Sequence, residues 1–177
     1  MIHSAREFWT VLHGMVLGSL FLLSFSGVMV ALYGLRSDLL TPRGVSQRIR
    51  LLKFGTVAMA IVSWLTVITG TYIVYPWYRA KPPQEVSNLL EYPRSYLLSV
   101  PDLVIFHTFG MEWKEHVAWF SPILATVVAY VIWHFSDQIA ENLKLRNAIA
   151  VFFIISFSAA AIAGLFGAFI SKAAPIL

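Results

Sequence analysis

Cysteine is absent from this 177-residue chain. That excludes disulfides, iron–sulfur clusters, thiolate zinc sites and the C-x-x-C-H attachment of a covalent haem. Charge is scarce as well. Only 12% of the residues are charged, where a soluble domain has about 25%. A surface so poor in charge suits lipid as its solvent. Catalytic signatures are also missing: there is no H-E-x-x-H helix, no P-loop and no Gly-x-Ser-x-Gly elbow. The formal charge of +4 is modest, its basic residues sit at the edges of apolar runs, and nothing in the pattern signals nucleic acid. No internal repeat or low-complexity tract divides the chain, so a single transmembrane domain over residues 1–177 is expected.

What is abundant is apolar sequence, 58% of the chain. About 20 apolar residues carry a helix across the hydrocarbon core. Four runs without Asp, Glu, Lys or Arg are that long: 8–35, 54–78, 116–136 and 147–171. None alternates apolar with polar residues, so barrel strands are excluded, and helices are the remaining way to satisfy the backbone in lipid. The fold expected is all-α, an integral membrane four-helix bundle. The first run outlasts the ~7–15 residues of a signal-peptide core and has no clear cleavage site, so it reads as a retained span.

The linkers set an orientation. Arg36, Arg43, Arg48, Arg50 and Lys53 stand between the first two runs against Asp38, and Lys144 and Arg146 between the last two. Basic loops stay in the cytoplasm. Both termini and the 79–115 loop are therefore expected outside, on a multi-pass protein of the plasma (inner) membrane. The outer end of the second span, Tyr72, Tyr75, Pro76, Trp77, Tyr78 and Arg79, reads as an interfacial aromatic belt or as the wall of a quinone or redox-partner site. Within the outer loop, Val100–Trp113 is expected to form a short helix at the membrane surface.

Chemistry rests on the histidines, of which there are five. His3 is terminal. His13, His107, His116 and His134 lie in or beside the first and third spans, where an ionisable residue is a functional candidate. Counting along the charge-free runs puts His13 and His116 roughly 13 and 15 Å from the bilayer centre, both towards the outer side. Two neutral imidazoles at matching depth on separate helices could clamp a haem iron, and haem b needs no cysteine. Each remaining ring N–H would need an acceptor, a backbone carbonyl or a hydroxyl such as Thr10 or Ser24. Gly14, Gly18, Gly70, Gly164 and Gly167 fall in the same leaflet. They could admit a flat ring or serve helix packing, as small-x-x-x-small patterns commonly do.

Two further constellations compete. His116 and His134 share a helix face, and with Met29 or Met59 as partner His134 could hold a second haem. His107, Met111 and His116 offer imidazole and thioether donors suited to copper.

The four spans with histidines at their ends resemble transmembrane b-type cytochromes, membrane subunits that pass electrons between quinones and haem proteins. That resemblance implies one haem b with His13 and His116 as axial ligands; His107 and His134 are the alternates by position. It implies an electron-transfer subunit rather than a stand-alone enzyme, with quinone and other membrane or outer-facing redox subunits as partners. A haem-free structural or assembly subunit and an outer-face copper-handling protein are the alternatives.

Overall fold

A computed structural model of the chain describes residues 4–36, 40–86 and 88–174. His3, Asp38 and Ser87 lie outside them. The described chain is helical, and four helices are long and apolar enough to cross a membrane. They are α1 (Ala5–Tyr33), α2 (Pro42–Tyr78), α4 (Pro101–His134) and α5 (Leu143–Ala173), with a short helix α3 (Pro93–Ser99) in the loop after α2. The protein is therefore a multi-pass α-helical membrane protein.

The helix starts follow from local chemistry. Ser4 and Glu7 form a reciprocal capping box at α1: Ser4 Oγ accepts from the Glu7 amide at 3.1 Å, and the Glu7 carboxylate accepts from the Ser4 amide at 3.2 Å. Two of the free N–H groups at the helix start are thereby satisfied. Thr41 caps α2 through the Gly44 amide at 3.2 Å, with Pro42 in the first turn, where its missing donor costs nothing. Asn142 caps α5 through the Leu145 amide at 3.0 Å. Pro76 does not break α2. A π-helical turn, Gly70–Val74, precedes it, and the helix closes at Tyr78 before Pro82 and Pro83.

Helix and charge-free run do not coincide. The third run starts at His116, but α4 begins at Pro101. A separate short helix was expected over Val100–Trp113; the segment is instead helical from Pro101 onward and forms the first part of the long helix that carries the third span. A helix needs backbone hydrogen bonds rather than apolar side chains, so Glu112, Lys114 and Glu115 do not interrupt it.

Contacts group the chain into two compact units. Unit 2 holds residues 19–64 and 120–158. Its core includes Phe153, Leu32, Leu52, Met59 and Ile132, all fully buried. Phe25 stacks on Phe157 at 3.9 Å and on Phe153 at 5.4 Å, tying α1 to α5. Gly55 lets α2 approach α1, since a Cβ there would stand 2.6 Å from Val28 Cγ2. Close approach of this kind drives helix association in lipid, where burial of apolar surface contributes little. All the basic residues of the two short linkers belong to this unit. The Arg48 guanidinium lies beside Gly34, and Arg146 Nη1 donates to the Leu35 carbonyl. Both cations thus sit at the C-terminal end of α1, where the helix dipole favours positive charge.

Unit 1 holds residues 1–18, 65–119 and 159–177, and so contains the 79–115 loop and both ends of the chain. Its apolar cluster is Tyr78, Leu97, Met111, Ile170 and Ala174, with Tyr75, Tyr96, Leu103, Phe106 and Ala173 against it.

Candidate functional site

Four π-helical turns occur among the described residues, Leu12–Val16, Gly70–Val74, Phe106–Met111 and Trp113–Val117, and all belong to unit 1. A π turn takes an extra residue and costs hydrogen-bond geometry, and such turns gather at functional sites. Here they carry His13, Gly70, His107, Lys114 and His116. The chemically distinctive residues of unit 1 thus sit on its irregular backbone.

His13 packs against α2. Its Nδ1 is 3.1 Å from Thr69 Oγ1, and a Cβ on Gly70 would lie 2.7 Å from its Cε1. The Thr69 hydroxyl donates to the Leu65 carbonyl at 2.7 Å, with the Thr66 carbonyl at 3.2 Å. Its proton is therefore committed, and its oxygen accepts from His13. The imidazole is the Nδ1–H tautomer, with its lone pair on Nε2. The N–H acceptor was expected to be a backbone carbonyl or a hydroxyl, with Thr10 and Ser24 as the nearby hydroxyls on the same span. Thr10 instead bonds back to the Arg6 carbonyl at 2.8 Å, and the acceptor comes from α2. A sequence cannot show which neighbouring helix faces a given ring.

His116 is differently placed. Its side chain is 71% exposed, its Nδ1 lies 3.0 Å from the Glu112 carbonyl one turn back, and the Glu112 carboxylate is 3.5 Å away. An Nδ1–H bonded to a carbonyl again leaves Nε2 free. His13 and His116 share unit 1 and the same tautomer, but each is held by different neighbours and no hydrogen bond joins them. His116 also stands near the middle of the 34-residue α4, not at the start of a span.

His107 forms a closed polar cluster. Its Nδ1 is 2.8 Å from the Tyr78 hydroxyl, and Arg94 Nε reaches its Nε2 at 3.5 Å. Both ring nitrogens are engaged, and Met111 is packed in the apolar cluster. Of the three donors of the copper constellation, His107 and Met111 are thus engaged elsewhere, and His116 alone keeps a free ring nitrogen. Beside it, the Tyr75 hydroxyl accepts from Arg79 Nη1 at 2.9 Å and lies within electrostatic range of the Glu115 carboxylate. The aromatic belt thus anchors charged groups through its hydroxyls. His134 belongs to unit 2, is exposed, and bonds through Nδ1 to the Tyr130 carbonyl at 3.0 Å. Met59 is fully buried and Met29 half-buried.

The five glycines divide. Beside Gly14, Gly18 and Gly164 an added Cβ would meet nothing within 4 Å, so backbone there is open to a flat ring or to lipid. Gly70 and Gly167 are filled: the His13 ring occupies the first space, and the Lys114 ammonium lies 2.9 Å from a Cβ position on the second. Lys114 donates to the Ala163 carbonyl at 3.3 Å and lies within electrostatic range of His13. Sequence reasoning passed over Thr69 and Lys114.

No set of three or more His, Cys, Asp or Glu side chains that could hold a metal ion occurs among the described residues. A haem iron does not require one, since its porphyrin supplies four nitrogens and the protein the axial donors. Two Nε2 lone pairs within unit 1 and open backbone at three glycines fit that requirement in kind. Comparison with protein-family models, curated proteins and solved structures found no match.

Proposed function

We propose that this protein is a membrane-embedded b-type cytochrome, an electron-transfer subunit that holds one haem b with His13 and His116 as axial ligands. The observation that carries the reading is the hydrogen-bond chain from His13 through Thr69 to the Leu65 carbonyl. It fixes the tautomer, clamps the ring and leaves Nε2 as the donor, which is what an outer-shell partner does for a metal-bound histidine.

When bound, haem supplies one-electron chemistry and the protein sets its potential and access. The chain's own residues orient and insulate. Thr69 and Gly70 hold the His13 ring, and the Glu112 carbonyl holds His116. Gly14, Gly18 and Gly164 of the same unit leave backbone open. The basic linkers of unit 2 face the cytoplasm in this account. The 79–115 loop, with α3 and the first turns of α4, then lies at the outer surface of the plasma membrane. Tyr72 and Trp77 line the approach of a quinol or an outer-facing redox partner.

A second reading has its own observation. A histidine exposed over 71% of its side chain and bonded to its own helix, as His116 is, is also what an interfacial residue of a haem-free assembly subunit would show. One measurement separates the two. Protein purified in mild detergent from haem-replete cells should give the reduced-minus-oxidised spectrum of a six-coordinate b-type haem. A preparation without haem favours the assembly subunit.

A further inference from the structure

Lys114 is a cation on a membrane-crossing helix, and its surroundings are built around its ammonium group. Trp113 and Lys114 are consecutive on a π turn of α4, and they donate to carbonyls one turn apart on α5: the Trp113 indole to Ala159 at 3.0 Å, the Lys114 ammonium to Ala163 at 3.3 Å. Gly167 stands one further turn along α5. A Cβ there would come within 2.9 Å of the ammonium nitrogen, so the bare glycine backbone lets the ammonium lie against it unshifted.

An ammonium carries three donors. Among the described residues Ala163 is its one acceptor, and no carboxylate pairs with it. Of the two nearest in sequence, Glu112 faces His116 at 3.5 Å and Glu115 acts on Tyr75. Lys114 is partly buried, and a partly desolvated cation without a counter-ion is costly. The site therefore calls for an anion from outside the chain, and His13 is the neighbouring group on which this charge acts.

We propose that Lys114 pairs with a carboxylate of the tetrapyrrole, one of the two propionates of haem b, and so fixes how the ring is turned beside His13. This rests on the haem reading above. It gives Gly167 a second purpose, room for the ammonium rather than room for the ring. It also distinguishes Lys114 from the solvent-facing Lys144, which no such geometry holds.

The test compares iron protoporphyrin IX with its dimethyl ester, in which both propionates are neutral. Each is titrated into the purified apoprotein, with the Soret band and the six-coordinate spectrum as readouts. The wild-type chain should bind the free acid roughly tenfold or more tightly than the ester, the worth of a charge-assisted hydrogen bond. Lys114→Gln should bind the two within about twofold while keeping the six-coordinate spectrum, and Lys114→Arg should retain the preference. Equal binding by the wild type overturns the proposal, and that comparison stands even if a variant fails to fold. A preference unchanged in Lys114→Gln overturns it too. Binding of neither compound removes the haem reading and this proposal with it.

Discussion

His13 and Thr69 meet across α1 and α2 at 3.1 Å, and the hydroxyl that receives the imidazole N–H has already given its own proton to Leu65. One hydroxyl thus determines which nitrogen of a membrane histidine is available for chemistry. Thr69→Val keeps the shape and removes the acceptor. It leaves the His13 ring with the Thr66 backbone alone, and outer-shell losses of this kind typically weaken metal binding 10- to 100-fold. Haem should leave Thr69→Val roughly tenfold faster than the wild type when captured by excess apomyoglobin. Thr69→Ser should behave as wild type. A dissociation rate unaffected by Thr69→Val would show that this contact does not support the ligand.

Gly70 makes the same contact possible from below. A methyl group there would come within 2.7 Å of His13 Cε1, so Gly70→Ala should displace the ring. The expected cost is about 1–3 kcal/mol of stability in detergent, typical of overpacking. The loss should shrink in the His13→Ala background, because the clash partner is gone. Additive losses in this double-mutant cycle would mean that the two residues are not in contact.

Packing in unit 2 offers a matched pair. Gly55→Ala should destabilise the chain by about 1–3 kcal/mol, since its Cβ would sit 2.6 Å from Val28 Cγ2. At Gly27 an added Cβ meets nothing within 4 Å. Gly27→Ala should therefore be neutral, or stabilising by up to about 1 kcal/mol from helix propensity. Thermal unfolding followed by helical circular dichroism compares them. Equal effects would contradict the α1–α2 approach described here.

Orientation can be read directly because the chain has no cysteine of its own. Ser46 and Gln84 are both exposed, the first in the basic region at the start of α2 and the second in the loop after it. Ser46→Cys should be protected from an impermeant thiol reagent in intact cells, and Gln84→Cys should react. Labelling of both would refute the assigned topology.

His107 supplies the contrast to His13. Tyr78→Phe removes the partner of its Nδ1 and should cost about 1–3 kcal/mol, with no change in any haem spectrum. Loss of the haem signal in this variant would move the axial ligand from His116 to His107.

The four spans were legible because lipid imposes a simple rule, long runs without charge, and each of the four runs lies wholly or mainly within a long helix. The true starts of α2 and α4 were not legible from that rule. Thr41 and Pro42 set the first of these starts and Pro101 opens the second, well before the charge-free stretches begin. The histidines stood out by residue type and position. Their partners did not, since Thr69 and Glu112 carry no signature, and facing across helices depends on rotation. π turns compound this. Each shifts the face of every later residue, so a count based on 3.6 residues per turn loses its register near His107 and His116. Sequence singled out five glycines, but only the packed structure separates the open Gly14, Gly18 and Gly164 from the filled Gly70 and Gly167.

The central claim is that His13 ligates a haem iron through Nε2, and electron paramagnetic resonance of the oxidised protein tests it most directly. The wild type should show a low-spin ferric signal of bis-imidazole type. His13→Ala should lose it in favour of a high-spin signal, and added imidazole should restore the low-spin form by filling the vacant position. His13→Ala with an unchanged low-spin signal would contradict the account.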